Sequence, residues 1–297
     1  MDAIYIIITG TLVAVTCGLL GSYLILKKMA MVGDAISHAV LPGIVIAFVL
    51  SGSRDSVVML IGAGILGIVT TFLIEFFHTH GSLQSDASIG VTFTWLFALG
   101  VILISVFAGD VDLDQDCVLH GEIAYVPLDL WITAEGINLG PRSIYVCAVV
   151  LMIVLVFVVL GYKELYITTF DPAFATAIGI STTLWHYLLM GAVSLTTVAS
   201  FESVGAILVV ALLIAPPATA YLLTENLFRM QWLTALIGLL VAISGYCLAA
   251  WIDGSIAGAM SAMSGVFFAL AFVFSPTDGV LVKWIKARNI QNSMQND

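Results

Sequence analysis

The stretch SIYVCAVVLMIVLVFVVLGY, Ser143 to Tyr162, contains no charged side chain. Valine, leucine and isoleucine fill it on every side, so a helix built from it would have no water-facing stripe. About 20 such residues rise about 30 Å as a helix, the thickness of a bilayer's hydrocarbon core. Working outward, the same kind of run recurs at 4–26, 31–50, 56–77, 87–108, 182–200, 203–223, 230–251 and 254–274. With 143–162 these make nine candidate spans. The second contains Pro42 and the last is rich in Gly and Ser, so eight to ten is the expected range.

Composition agrees. Of 297 residues, 61% are hydrophobic and only 9% charged, and the mean hydropathy is +1.13. Soluble domains are about 45–50% apolar and about 25% charged, so a water-soluble enzyme is excluded. The expected fold class is all-α: a polytopic transmembrane helical bundle, one domain over 1–280 with a tail at 281–297. A formal charge of −10 argues against nucleic acid, whose phosphates call for basic patches. The four cysteines, Cys17, Cys117, Cys147 and Cys247, form no CxxC pair and read as small hydrophobes. The first apolar run has no basic stretch before it and no small-residue cleavage site, so it reads as a retained helix.

Cations orient the chain. With Lys27 and Lys28 in the cytoplasm, alternation also places Lys163, Arg229, Lys283, Lys286 and Arg288 inside, leaving Arg54 and Arg142 outside. Lysine and arginine collect on the cytoplasmic side, so the N-terminus is expected outside and the C-terminus inside. The long segment 109–142 then lies outside with Asp110, Asp112, Asp114, Asp116, His120, Glu122, Asp129 and Glu135. It is either a solvated acidic loop or a surface that concentrates cations near an entrance. It lacks the central Gly and terminal Glu of a calcium loop.

Ionisable groups inside a bilayer are costly and therefore candidates for function. Asp34 and His38 stand four apart in the second run, on one helix face. A carboxylate with an imidazole suits Mn²⁺, Fe²⁺ or Zn²⁺; the same two groups could also simply hydrogen-bond and hold helices together. Ser37 adds a hydroxyl, and Gly33, Pro42 and Gly43 flank the pair, which predicts a helix bent or interrupted around a polar cavity. Two ligands are too few for a cage, and a symmetric dimer would supply four. A neutral imidazole is needed to ligate, so uptake through such a site should fall on acidification past an ordinary imidazole pKa of about 6.5.

Other candidates have bland readings beside the functional one. Glu202 and Asp253 fall near expected outer helix ends, and His186 and Glu75 near inner ends, where interfacial solvation explains them. His78 and His80 could chelate loosely or only finish a helix. Gly254, Gly258, Ala262 and Gly265 form a small-residue stripe that reads as a helix–helix contact, within or between subunits.

Between the fifth and sixth runs, 168–179 reads TTFDPAFATAIG. Asp171 fits an N-cap, Pro172 the first helical position and Gly179 the stop, predicting a short capped helix that is a connector or a plug for another protein's groove. No Gly-x-x-x-x-Gly-Lys-Ser/Thr occurs, nor any Gly-Lys pair, Gly-x-Ser-x-Gly or His-Glu-x-x-His. Any driving ATPase is therefore expected on another polypeptide.

GDAISHAVLPG at 33–43 resembles the signature of the permease subunits of manganese/zinc/iron ABC importers. The segment from Phe170 to Gly179 resembles their coupling helix, and GAILVVALLIAPPATA at 205–220 is similar to their late-helix block. That resemblance implies a homodimer, or a pair of related permeases, on two cytoplasmic ATP-binding subunits. It also implies an extracytoplasmic metal-binding protein and a bacterial inner-membrane location. Asp34 and His38 would line the pathway and touch the metal; Glu202, Asp253 and His120 are weaker metal candidates. Phe170, Asp171, Pro172, Ala173, Phe174, Ala177 and Gly179 would couple to the ATPase. No permanently bound cofactor is implied, because the ion is cargo. FESVG at 201–205 and HGE at 120–122 resemble manganese-type members more than zinc-type ones. The rivals are a stand-alone proton-coupled transporter, which needs no ATPase, and a non-transporting scaffold, in which Asp34 is dispensable.

Overall fold

The computed structural model describes residues 2–52, 56–81, 83–107, 123–132, 138–275 and 279. Helix dominates: α1 (Asp2–Leu26), α2 (Val32–Ala39), α3 (Leu41–Ser51), α4 (Ser56–Gly81), α5 (Ser85–Phe107), α6 (Arg142–Leu160), α7 (Tyr162–Phe170), α8 (Pro172–Ala177), α9 (Thr182–Val204), α10 (Ala206–Leu223), α11 (Leu227–Ile252) and α12 (Ile256–Phe274). Nine spans among the described residues are long and apolar enough to cross a bilayer, with α2 and α3 together forming one. Backbone polar groups have no water to bond in hydrocarbon, so an internally bonded helix is what such runs must form. The chain is a multi-pass membrane protein, with the nine spans read from its sequence.

Two groups of helices share the bundle. In the first, α1 packs on α10, α11 and α6, and α12 closes over α10 and α11. The contacts are backbone-close. A Cβ added to Gly21 would run into the Leu213 carbonyl oxygen, one on Gly18 into the Thr234 methyl, and one on Gly245 would lie 2.5 Å from Met260 Cα. Small residues at such crossings let helices meet at van der Waals distance where lipid offers no hydrophobic drive. In the second group α3 crosses α4 and α5, and α2 lies on α5. Gly43 and Gly62 face each other there, a Cβ on either falling 2.5 Å from the other's carbonyl oxygen. Helix α9 stands between the groups, touching α4 and α2 on one side and α1, α6 and α10 on the other.

The second span is interrupted, as its Gly and Pro content predicts. Helix α2 ends at Ala39 and α3 begins at Leu41, with Val40 between them. Pro42 is the physical reason: it has no N–H for the carbonyl of His38, and its ring crowds that carbonyl. Gly43 N–H instead donates to Val40 O at 3.0 Å. The flanking glycines are packing contacts, since Gly33 leaves room for the Leu213 side chain and Gly43 for α4.

Two expectations are narrowed. Of the contact expected within or between subunits at the Gly254–Gly258 stripe, the described residues show no within-chain part: a Cβ on Gly254 would meet only Ile252, and one on Gly258 only Ser255, both local. Helix α12 buries Ala259, Met260, Ser264 and Ala271 instead. Nor is the segment before α6 all loop. A 3₁₀ turn, Ile123–Leu128, buries Ile123 and Val126 and packs on α1 and α12. An antiparallel pair, β1 (Leu130–Ile132) with β2 (Asn138–Pro141), follows it. His120, the acidic run 110–116 and the tail 281–297 lie outside the described residues.

One connection has no slack. Helices α9 and α10 are joined by Gly205 alone, at φ 81° and ψ 158°. That region of backbone space belongs almost entirely to glycine.

Candidate metal pathway

Helix α2 buries Val32, Gly33, Ala35, Ile36, Ser37 and Ala39. The side chains of Asp34 and His38 are left 34% and 42% exposed, with Asp34 Oδ1 and His38 Nε2 3.7 Å apart. An i, i+4 spacing puts both on one face, and here it is the open face of an otherwise buried helix. Phe93 and Phe97 of α5 flank the imidazole, with ring centroids 6.0 and 5.8 Å from it. Ser37 is not a third ligand: its hydroxyl donates to the Asp34 carbonyl at 2.6 Å and is buried. A carboxylate and an imidazole cannot face lipid at low cost, so this face meets water, an ion or another subunit.

The remaining candidates separate. Glu202 is exposed near the far end of α9, and Asp253 is exposed as the αL C-cap of α11, φ 53° and ψ 46°. Aspartate tolerates that conformation, which explains it without a ligand. Glu202 lies eight residues, about 12 Å along α9, beyond Ser194, which sits at the level of Ile36 of α2. His78 and His80 do not chelate together: His78 Nδ1 lies 2.8 Å from Leu83 O, while His80 stacks on Phe76 at 4.7 Å.

Sequence reasoning missed one pair. His186 of α9 and Glu75 of α4, read as separate interfacial groups, are 3.3 Å apart and mostly buried, the side chains 16% and 29% exposed. They line a cavity of about 330 Å³ with Lys27, His78 and Ser85. Burial lowers the Lys27 pKa below its ordinary value, and the Glu75 carboxylate pulls it back up. Two residues so far apart in the chain leave no periodic signal.

At the same end of the bundle stands α8. Asp171 Oδ1 accepts the Phe174 N–H at 2.9 Å, Pro172 opens the helix, and Gly179 at φ 86° ends it. Ala175 is buried beneath it, while Phe170, Phe174 and Ile178 stay about half exposed. Exposed apolar patches of this kind mark interaction surfaces in general.

Comparison with known proteins places this architecture. The manganese transport system membrane protein MntD of Bacillus subtilis (strain 168) is 53% identical over 287 residues, 97% of each chain. The zinc transport system membrane protein TroD of Treponema pallidum (strain Nichols) is 46% identical over 96% of this chain and 77% of its own. The solved structure of PsaBC from Streptococcus pneumoniae in complex with Fab superposes with a TM-score of 0.75 at 31% identity, covering 96% of this chain and 94% of that one. The ABC 3 transport family model matches residues 3–275. This chain belongs to the ABC 3 transport family.

Proposed function

We propose that the chain is the membrane-spanning subunit of an ATP-driven importer of divalent transition-metal ions, with manganese as the main cargo. The observation that carries this reading is the open Asp34/His38 face on a buried, interrupted helix. Its donors are one oxygen and one nitrogen, a set that suits Mn²⁺, Fe²⁺ or Zn²⁺. Each protomer offers two ligands, and a homodimer would bring four to its axis. An incomplete site serves a transporter, because a full cage would hold the ion too well. Manganese comes first because MntD bears that name; zinc is the second reading, favoured by TroD.

In this reading the Lys27 end faces the cytoplasm of a bacterial inner membrane, with the N-terminus outside and the C-terminus inside. Separate ATP-binding subunits dock there on Phe170, Asp171, Pro172, Ala173, Phe174, Ala177 and Gly179, and hydrolyse the ATP. An extracytoplasmic binding protein delivers the ion at the other face. Residues 1–280 act as one domain.

The test is uptake of radiolabelled Mn²⁺ and Zn²⁺ by cells carrying the chain with its ATPase and binding protein. Uptake should need all three components and favour manganese. Uptake that persists without the ATPase would sink the ATP-driven reading in favour of a proton-coupled transporter.

A further inference from the structure

The cavity near Lys27 repeats the chemistry of the Asp34/His38 face. In each, one carboxylate oxygen faces one imidazole nitrogen: 3.7 Å for Asp34 and His38, 3.3 Å for Glu75 and His186. Their relative depth follows from a shared contact. Gly67 of α4 lies against Ser194 of α9, and Ile36 of α2 reaches the same spot. From that level Glu75 and His186 are each eight residues toward the Lys27 end, about 12 Å along their helices. Asp34 is two residues from Ile36 in the same direction, about 3 Å. The second pair therefore sits about 9 Å nearer the Lys27 end than Asp34, on two of the helices that pack around α2.

Resting on the metal-import reading, we infer that Glu75 and His186 form a second, inner station that the cation occupies after leaving Asp34 and His38. Glu75 Oε2 and His186 Nε2 would turn from each other to the ion, while Glu75 Oε1 keeps the Thr79 hydroxyl donor at 3.2 Å. The cavity of about 330 Å³ leaves space for the waters that complete its shell. Among the described residues no three His, Cys, Asp or Glu side chains converge on one point, so the station has two protein donors and binds weakly. Lys27 reinforces that weakness. Lys27 and Lys28 both line the same cavity, and their positive charge disfavours a resident cation. A purely structural Glu–His bond between α4 and α9 would need neither the cavity nor the lysine.

Mn²⁺ alone, titrated into the nucleotide-free permease–ATPase complex and counted by electron paramagnetic resonance, tests this. Uptake of radiolabelled Mn²⁺ into proteoliposomes runs in parallel. The double variant Asp34→Asn/His38→Gln should stop uptake yet keep weakly bound Mn²⁺. Adding Glu75→Gln or His186→Gln should weaken that residual binding about tenfold or more, the effect of losing a metal-site contact. Glu75→Asp, which keeps the carboxylate, should restore it and so separates ligand loss from misfolding. Residual binding that ignores Glu75 and His186, or none in the double variant, overturns the inner station. A wild-type complex that imports neither Mn²⁺ nor Zn²⁺ overturns the metal-import reading itself.

Discussion

Helices α1, α10, α11 and α12 meet backbone to backbone, whereas α2, packed beside α5, leaves its Asp34/His38 face open. The first group uses glycine to remove space: Gly18, Gly21 and Gly245 each sit where a methyl group would strike a neighbour. No charged side chain lies in α10, and α11 carries only Arg229, in its first turn. The second group uses glycine in the same way where Gly43 meets Gly62, yet leaves Asp34 and His38 partly exposed on the adjoining α2. Every span in both groups is apolar enough to cross a bilayer. What differs is whether a helix face is closed by its own chain or left for something polar. Stability and transport should therefore fail separately when the two regions are mutated.

The largest effect expected is on transport alone. Asp34→Ala and His38→Ala should each cut Mn²⁺ uptake by about 100-fold or more, with the thermal midpoint of the detergent-solubilised protein unchanged; a large fall in that midpoint would return the pair to structural duty. Gly21→Ala should do the reverse. Its methyl collides with the Leu213 carbonyl, so overpacking should cost about 1–3 kcal/mol, read as a lower thermal midpoint with uptake per folded molecule retained. Asp171→Ala removes the cap on Phe174 and should cost α8 about 1 kcal/mol. The readout is weaker retention of the ATP-binding subunit on co-purification, with Mn²⁺ binding by the permease unaltered. Smallest of all, Glu202→Gln and Asp253→Asn should leave uptake within about twofold, in line with exposed surface changes; a loss comparable to Asp34→Ala would show that the pathway reaches the far end.

Much of this was legible beforehand because the bilayer allows so few solutions. Charge-poor runs had to be spanning helices, and nine were found. Helix α8 was readable because capping is local: Asp171, Pro172 and Gly179 act within one short helix. Asp34 and His38 were readable because i, i+4 is also local. Contacts between distant segments were not. Glu75 and His186 meet only because α4 and α9 cross at Gly67 and Ser194, and nothing in either segment announces the other. The same blindness explains Gly254 and Gly258, whose spacing resembles a crossing motif although among the described residues only Ile252 and Ser255 come close to them. A one-residue interruption at Val40 was suggested by Pro42, but hydropathy averages over it.

Gly205 has a mechanical consequence. With one residue between them, α9 and α10 form a bracket with little chain to spare at its corner. At its other end α9 is separated from α8 by only residues 178–181. A push on α8 would thus enter a stiff lever whose corner lies at the opposite side of the membrane. Tilting that lever moves the arm bearing His186 and Ser194 together with the arm bearing Leu213, the side chain that fills the space beside Gly33. Force applied outside the bilayer would reach the foot of α2 through two helices, one glycine corner and the Leu213 side chain packed beside Gly33.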